Sequence, residues 1–173
     1  MISSADFSKI TTLIFDIDGT LTDGKLTFTP DGNVLKSFNI NDMHWMKLAL
    51  RAGLKVGIIA GRDDFANRQL IEELDLSFAE LNAKNKLDGW EKILSEQHLS
   101  AQECLYMGDD VVDMPVIRRA GIGVAVANAV PELDEVANLK TSAAGGNGAA
   151  CEIIRKVLKA KELFDNIMER YRK

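Results

Sequence analysis

The clearest indication of the fold is the segment Thr11–Thr12–Leu13–Ile14–Phe15–Asp16–Ile17–Asp18–Gly19–Thr20. Its first part is β-branched or apolar, which is typical of a buried strand, and the acidic residues begin where that strand ends. Similar apolar runs recur along the chain with helical sequence between them. They are Val56–Ala60, Cys104–Met107 and Ile122–Val126. Strands that alternate with helices predict an α/β fold, a Rossmann-like parallel sheet with helices on both faces.

Length and composition predict a single domain over residues 1–173. Hydrophobic residues make up 46% of the chain, which is enough to form a core. The net charge of −5 argues against nucleic acid as a partner, because phosphate backbones bind basic surfaces. The cysteines, Cys104 and Cys151, do not suggest a disulfide framework. The sequence shows no signal peptide and no apolar run that could span a bilayer, so we expect a cytoplasmic protein without a membrane partner.

Two segments depart from the simple alternation of strands and helices. Asp31–Gly32 lies between two short apolar stretches, and this dipeptide is a strong signal of a β-hairpin. We therefore predict a protruding hairpin over about residues 25–40, directly after the first strand. Near the C-terminus, apolar residues at helical spacing predict one long amphipathic helix over about residues 148–172.

The pair Asp16 and Asp18 is the first candidate for chemistry. Two carboxylates so close together repel each other unless a cation or a proton lies between them. Mg²⁺ prefers such hard oxygen ligands, and a carboxylate can also attack phosphorus to form an aspartyl-phosphate. The pattern alone leaves a second interpretation open, an acidic turn in which Gly19 supplies the loop conformation.

A second acidic cluster, Asp109, Asp110 and Asp113, follows the apolar run that ends at Met107. Carboxylates also favour the first turn of a helix, which accounts for Asp110 and Asp113 without any ligand. That explanation does not account for the fact that both acidic clusters directly follow apolar strands. Because the carboxyl ends of parallel strands meet at one edge, the two clusters predict an oxygen-rich site for a hard divalent cation.

Phosphoryl transfer also requires positive charge and hydrogen-bond donors around the transferred group. Lys86, at the start of a predicted helix, is the best candidate, and Lys84 is a weaker one. Gly61 and Arg62 follow the second strand and offer backbone donors and a guanidinium group. For Arg62, a surface ion pair with an aspartate of the segment 63–64 is an equally good interpretation of the spacing.

These motifs resemble, in order and spacing, those of the haloacid dehalogenase-like phosphatases. They are Asp16–Thr20, Ala60–Arg62, Lys86 and Gly108–Asp113. The resemblance implies that Asp16 is the nucleophile, that Asp18 is the general acid and base, and that Lys86 neutralises the aspartyl-phosphate. It also implies Mg²⁺ held by Asp16, the backbone carbonyl of Asp18 and Asp109, with support from Asp110 and Asp113.

The gaps between the motifs are too short for the cap domain that encloses substrate in most of these phosphatases. Several further stretches resemble the capless 3-deoxy-D-manno-octulosonate 8-phosphate phosphatases. They are Leu21–Gly24, Phe38–Asp42, Asn85–Leu87 and Gly145–Gly148. This resemblance implies a sugar acid phosphate as substrate, a place in lipopolysaccharide precursor synthesis, and a homotetramer assembled through the hairpin. The phosphate- and substrate-binding residues that it implies are Thr20, Asp42, Ala60, Gly61 and Arg62.

The chain also departs from that family's pattern. Ala60 stands where the family has Ser or Thr, Met43–His44–Trp45 replaces a glycine-containing stretch, and Asn147 replaces Arg. We expect these changes to lie where substrate specificity is decided, with His44 near the substrate. Three alternatives stay open: a phosphatase for a sialic-acid-like 9-phosphate, a weakly catalytic binding homologue, and a phospho-receiver domain. The receiver is disfavoured because its phosphorylated aspartate follows the third strand.

Overall fold

The computed structural model describes residues 3–173. The strands are β1 (Thr12–Phe15), β2 (Thr27–Phe28), β3 (Val34–Leu35), β4 (Lys55–Ile59), β5 (Phe78–Glu80), β6 (Cys104–Gly108), β7 (Ile122–Ala125) and β8 (Leu139–Lys140). The helices are α1 (Ser4–Ser8), α2 (Ile40–Arg51), α3 (Phe65–Leu74), α4 (Lys86–Glu96), α5 (Met114–Ile117), α6 (Ala149–Ala160) and α7 (Phe164–Glu169).

The main sheet positions the acidic clusters. Within residues 3–173 it has six strands in the order β5–β4–β1–β6–β7–β8, and all neighbouring strands are parallel. Phe15 of the central strand β1 is in register with Ile58 of β4 and with Met107 of β6. The carboxyl ends of these strands therefore meet at one edge, where open α/β sheets bind ligands. The predicted α/β fold is confirmed.

Helices cover both faces of this sheet. Leu13 and Phe15 of β1 point into a core shared with α2 and α6, whereas Ile14 points into a core shared with α4 and α5. This division follows from the alternation of side chains along a strand. In the second core, Trp90 of α4 packs edge-on against Tyr106 of β6, with ring centroids 6.2 Å apart. The strand ends that carry the acidic residues are thus held between two packed layers.

The predicted hairpin follows β1. Thr27 pairs with Leu35 and Phe28 with Val34 in antiparallel register, and Gly32 in the turn has a left-handed φ of 85°. Each of its strands has only two residues, so the paired part is shorter than the predicted segment 25–40. Among the described residues, the chain between β1 and α4 contains only this hairpin, α2, β4, α3 and β5, and it contains no cap domain.

The prediction of one continuous C-terminal helix is wrong. α6 ends at Ala160, Glu162 adopts a left-handed φ of 59°, and α7 begins at Phe164. The break allows the Phe164 ring to stack on Trp45 of α2, with centroids 5.8 Å apart. Helical spacing persists through the break, which is why the sequence indicates a single helix. In the described part of the chain, none of the helices has the length and apolar character needed to cross a bilayer.

Candidate active site

An open cleft of about 370 Å³ lies at the carboxyl ends of the central strands. It brings together residues that follow β1, β4 and β6 and residues from the start of α4, although they are far apart in sequence. The lining residues are Asp16, Asp18, Gly61, Arg62, Ala83, Lys84, Lys86, Asp109, Asp110 and Val112. The cleft therefore combines carboxylates with basic side chains, as phosphoryl transfer requires.

Lys86 is the buried cation of this cleft. Its side chain is 4% exposed, and Nζ lies 2.6 Å from Oδ1 of Asp16 and 2.6 Å from Oδ1 of Asp113. Burial by itself would lower the pKa of Lys86, but the two carboxylates outweigh burial and raise it. The side chain of Asn85 accepts a hydrogen bond from the backbone N–H of Leu87 and so caps α4, which fixes Lys86 at the first position of the helix.

Asp113 is fully buried and organises its neighbours. Its Oδ1 accepts hydrogen bonds from Lys86 Nζ and from the Tyr106 hydroxyl, both at 2.6 Å. Its Oδ2 accepts from the backbone N–H groups of Asp109 at 3.0 Å and Asp110 at 3.1 Å. Gly108 leaves room for this side chain, because a Cβ there would lie 2.3 Å from Cγ of Asp113. Asp113 thus holds the loop that presents Asp109.

Tyr106 is a site-associated residue that sequence reasoning missed. Its position inside an apolar strand predicts a residue of the hydrophobic core, and its ring is indeed fully buried. Burial and the charge of Asp113 raise its pKa well above the ordinary value, so the hydroxyl stays protonated and donates to that carboxylate. Alternation along β6 was the only signal available, since it places Tyr106 on the face opposite Leu105 and Met107.

One oxygen each of Asp16, Asp109 and Asp113 lies within 4.8 Å of the others. Burial, followed by the charge of Asp113, raises the pKa of Asp16 well above its usual range and that of Asp109 to about 6. Gly19 is required here, because a Cβ at this position would lie 2.1 Å from Oδ2 of Asp109. Buried carboxylates that repel one another and bring only oxygen donors fit a hard divalent cation.

Asp18 lies at the more open side of the cleft, with 26% of its side chain exposed. Arg62 Nε is 3.3 Å from Asp18 Oδ2, so the ion pair of Arg62 is with Asp18. The alternative partners are engaged elsewhere: Asp63 pairs with Arg68 at 2.7 Å, and Asp64 pairs with Lys36 at 2.7 Å. The structure thus directs the half-exposed guanidinium toward the cleft.

Three predicted substrate-binding residues are buried, and the side chains of two of them contact other groups of the fold. The Thr20 hydroxyl donates to Asp109 Oδ1 at 3.1 Å, so this residue positions a carboxylate. Asp42 accepts hydrogen bonds from the backbone N–H groups of Gly148 at 3.0 Å and Cys151 at 2.7 Å, and so caps α6. Ala60 is fully buried, and its N–H donates to the Glu80 carbonyl at 2.9 Å. Thr20 and Asp42 thus position other groups of the fold, whereas Ala60, next to Gly61, stays a predicted phosphate-binding position.

The expectation that residues 43–45 and Asn147 lie near the substrate is also corrected. His44 Nε2 is 3.3 Å from the Tyr171 hydroxyl, and the Arg155 guanidinium lies 5.0 Å above the Trp45 ring. Both side chains thus contact the C-terminal segment, not the cleft. Neither Met43 nor Asn147 lines the cleft in the described chain. Asp110, in contrast, does line it, and its side chain accepts from the N–H of Val111 at 2.7 Å.

A parallel α/β sheet with aspartates at two neighbouring strand ends and a buried lysine between them defines the class, the haloacid dehalogenase-like hydrolases. The model of a haloacid dehalogenase-like hydrolase family matches residues 79–153. The 3-deoxy-D-manno-octulosonate 8-phosphate phosphatase KdsC of Escherichia coli K12 is 34% identical over 161 residues, which cover 93% of this chain and 86% of that protein. The chain therefore belongs to the 3-deoxy-D-manno-octulosonate 8-phosphate phosphatase family of these hydrolases.

Solved structures show the same architecture. One is the 3-deoxy-D-manno-octulosonate 8-phosphate phosphatase of Moraxella catarrhalis in complex with magnesium, phosphate and the KDO molecule. It matches with a TM-score of 0.93 and 27% identity, over 97% of this chain and 97% of that chain. The cobalt-bound deoxy-D-mannose-octulosonate 8-phosphate phosphatase of Haemophilus influenzae matches with a TM-score of 0.87 and 30% identity, over 91% of this chain and 92% of that chain.

Proposed function

We propose that this protein is a Mg²⁺-dependent phosphatase that hydrolyses 3-deoxy-D-manno-octulosonate 8-phosphate through an aspartyl-phosphate. The observation that carries the proposal is the placement of Asp16. It follows the central strand, lies 2.6 Å from the buried Lys86 ammonium, and borders an open cleft. The names of the relatives in E. coli and M. catarrhalis support this choice of substrate.

The reaction needs two carboxylates in different environments. Asp16 attacks phosphorus, so that an Asp16–phosphorus bond forms while the bond from phosphorus to the sugar oxygen breaks. Asp18 gives its proton to the departing sugar oxygen and afterwards takes a proton from the water that attacks the aspartyl-phosphate. That second attack releases inorganic phosphate and restores Asp16. Lys86 offsets the negative charge that develops beside Asp16 in both steps.

Asp16, Asp109 and the backbone carbonyl of Asp18 are the groups that would hold Mg²⁺. Both oxygens of Asp113 already accept hydrogen bonds, so we assign Asp113 and Asp110 to the support of this set. The bound cation would supply charge neutralisation for the transferred phosphoryl group. It would also oppose the repulsion that raises the pKa values of Asp16 and Asp109.

Mg²⁺ binding is expected to weaken as the pH falls below 6. The pKa of Asp109 is about 6 in the folded chain, so a proton competes with the cation below that pH. We expect the apparent dissociation constant for Mg²⁺ to rise about tenfold for each pH unit below the pKa. Isothermal titration calorimetry with MgCl₂ at several pH values would measure this.

The stability of the metal-free protein should fall as the pH rises, whereas the affinity for Mg²⁺ should increase. The pKa of Asp109 is higher in the folded than in the unfolded chain, so the folded state binds the proton more tightly. Asp109 therefore lowers stability as the pH rises from about 4 to 6, and the rise in Tm caused by Mg²⁺ grows over the same range. An Asp109→Asn variant is the control, and a Mg²⁺ affinity in the wild type that does not change with pH would contradict the assignment.

The cleft suits a sugar acid because its rim carries basic groups beyond the phosphoryl centre. Arg62 is half-exposed, and Lys84 Nζ lies 3.1 Å from the Gly61 carbonyl. A carboxylate of the substrate would complement these cations. Val112, which is 48% exposed, adds an apolar wall. The proposal of an octulosonate substrate rests on this rim together with the family membership.

A phosphate-release screen tests the substrate. It would compare 3-deoxy-D-manno-octulosonate 8-phosphate, a nonulosonate 9-phosphate, glucose 6-phosphate and p-nitrophenyl phosphate, each with MgCl₂ and with EDTA. We expect the highest kcat/KM with the octulosonate ester and no turnover in EDTA. A preference for the 9-phosphate would favour the sialic-acid-like alternative. Absence of release from every ester would favour a binding homologue.

The Ala60→Thr variant is expected to be a faster enzyme than the wild type. Ala60 directly precedes Gly61, which lines the cleft, and a hydroxyl there would add one donor to the phosphoryl group. A hydrogen bond to a charged group contributes about 1.5–3 kcal/mol, so kcat/KM should rise about tenfold or more. The control is Ala60→Val, which has the same shape without the hydroxyl. Equal rates for the two variants would show that the added hydroxyl supplies nothing.

We also propose that the protein is a cytoplasmic homotetramer in lipopolysaccharide precursor synthesis. The hairpin supports assembly, because Phe28 is 68% exposed and Leu35 is 57% exposed on its surface. Neighbouring subunits would then cover the cleft, which lacks a cap in the described chain. Light scattering coupled to size-exclusion chromatography would give the oligomeric state of the wild type and of a Phe28→Ser variant.

A further inference from the structure

Lys36 lies at the base of the hairpin, directly after β3, and it is a cation that sequence reasoning missed. Its side chain is completely buried. Three oxygen atoms surround Nζ: Oδ1 of Asp18 at 2.7 Å, Oδ2 of Asp64 at 2.7 Å and Oδ1 of Asn67 at 2.8 Å. The hairpin thus delivers a buried positive charge to the candidate general acid and base.

Asp18 is held by cations on both of its oxygens. Lys36 contacts Oδ1, and Arg62 Nε is 3.3 Å from Oδ2. Lys36 contacts Asp18 from inside the protein, whereas Arg62 is half-exposed at the cleft. A carboxylate that a buried ammonium contacts on one oxygen and a guanidinium contacts on the other has little freedom to change its rotamer. Proton transfer depends on such placement, because the donor must lie within hydrogen-bond reach of the leaving oxygen.

The same lysine also fixes the loop that carries Arg62. Asn67 accepts a hydrogen bond from Lys36, and its own Nδ2 donates to the backbone carbonyl of Arg62 at 3.1 Å. Asp64 in turn accepts a hydrogen bond from the backbone N–H of Asn67 at 3.0 Å. Lys36 therefore joins three segments, the turn after β1, the loop after β4 and the hairpin, at one point.

Stability alone does not account for this arrangement. Burying an ammonium group has a large desolvation cost, and well-packed apolar residues often replace a buried ion pair with no loss of stability. An apolar residue at position 36 could pack at the hairpin base, but it would leave Asp18 without its inner partner.

We infer that Lys36 is a positioning residue for the phosphatase reaction, which holds the Asp18 carboxylate in the orientation that serves proton transfer. The inference rests on the proposed function. It assigns the hairpin a part in the reaction within its own subunit, in addition to any role in assembly.

Kinetics of a Lys36→Met variant test the inference. We expect kcat to fall at least tenfold, because general acid and base catalysis contributes about 10²–10⁴-fold, while KM changes less than about threefold. Lys36→Arg, which keeps the charge, should give a kcat between those of Lys36→Met and the wild type. The matched control is Lys47→Met, which removes a partly exposed lysine paired with Glu73 at 2.8 Å and should keep wild-type kcat. A kcat for Lys36→Met equal to that of the control would overturn the inference.

A double variant shows whether Lys36 acts through Asp18. In the Asp18→Asn background, the additional Lys36→Met change should alter the residual rate less than about twofold, because the group that Lys36 positions is already lost. A full additional tenfold loss would assign Lys36 a general structural role and overturn the inference.

A crystal structure of the Lys36→Met variant provides a readout independent of activity. We expect the Asp18 side chain to leave its wild-type rotamer while Asp16, Lys86 and Asp113 keep their contacts. An unmoved Asp18 would overturn the inference. A wild-type protein that releases phosphate from no ester would contradict the proposed function instead, and the orientation of Asp18 would still decide the role of Lys36.

Discussion

The Asp16→Asn variant should lose phosphate release by a factor on the order of 10⁴–10⁶, the effect expected when a covalent nucleophile is removed. The amide oxygen and nitrogen keep the shape of the carboxylate but are poor nucleophiles toward phosphorus. The measurement is the rate of phosphate release with the best ester of the screen, under saturating Mg²⁺. Acid-quench trapping of phosphorylated protein should give a signal for the wild type and none for the variant.

The folded state should survive this substitution. Lys86 keeps Asp113 as a partner at 2.6 Å, and one of the three carboxylates that repel one another loses its charge. We therefore expect the Tm of the metal-free variant to equal or exceed that of the wild type. The matched control is Asp23→Asn, which makes the same substitution at another aspartate after β1. It removes an exposed ion pair with Lys25 and should leave the rate of phosphate release unchanged. An active Asp16→Asn variant would refute the aspartyl-phosphate mechanism.

The Lys86→Met variant should be the most destabilised of the single variants considered. The ammonium lies 2.6 Å from both Asp16 and Asp113, which would be left buried without a counter-charge. Breaking a buried ion pair from one side costs about 3–5 kcal/mol. For a domain of this size that corresponds to a fall in Tm of roughly 6–20 °C. Thermal and urea denaturation in the presence of EDTA would measure it.

The loss of stability in Lys86→Met should depend on pH. Burial and the charge of Asp113 already raise the pKa of Asp16, and removal of the lysine removes the charge that opposes this rise. Below the raised pKa the carboxyl is neutral and needs no partner, so the loss of stability is largest at high pH and shrinks as the pH falls through that pKa. Lys84→Met is the matched control, since Lys84 is exposed and its Nζ donates a hydrogen bond to the backbone carbonyl of Gly61 instead of to a buried carboxylate. Equal stability of the two variants at pH 8 would contradict this account.

Much of the site could be predicted because strand ends are visible in a sequence. Asp16 and Asp109 each follow an apolar run, and parallel strands bring such positions to one edge. Lys86 begins a helix, and its place was indicated by the motif order of a known family. The hairpin was visible as Asp31–Gly32, a dipeptide whose turn conformation is locally encoded.

Other residues could not be assigned because their partners are distant in the sequence. The sequence predicts that Thr20 and Asp42 bind substrate. In the fold, Thr20 contacts Asp109, and Asp42 caps the N-terminus of α6. Arg62 has two aspartates next to it in sequence, yet it pairs with Asp18. In each case several residues could have formed the same type of contact, and the packing of the folded chain determines which one does.

The α/β order, the strand-end carboxylates and the lack of room for a cap could thus be inferred from the residues alone, since each depends on local pattern or on the chain length between motifs. The orientation of single side chains, in contrast, depends on how the elements pack in the folded chain. This packing places Lys36 behind Asp18, Tyr106 on Asp113 and Phe164 on Trp45. A buried charge or ring is stabilised by whichever partner the folded backbone brings within contact distance, and that partner cannot be identified from spacing along the chain.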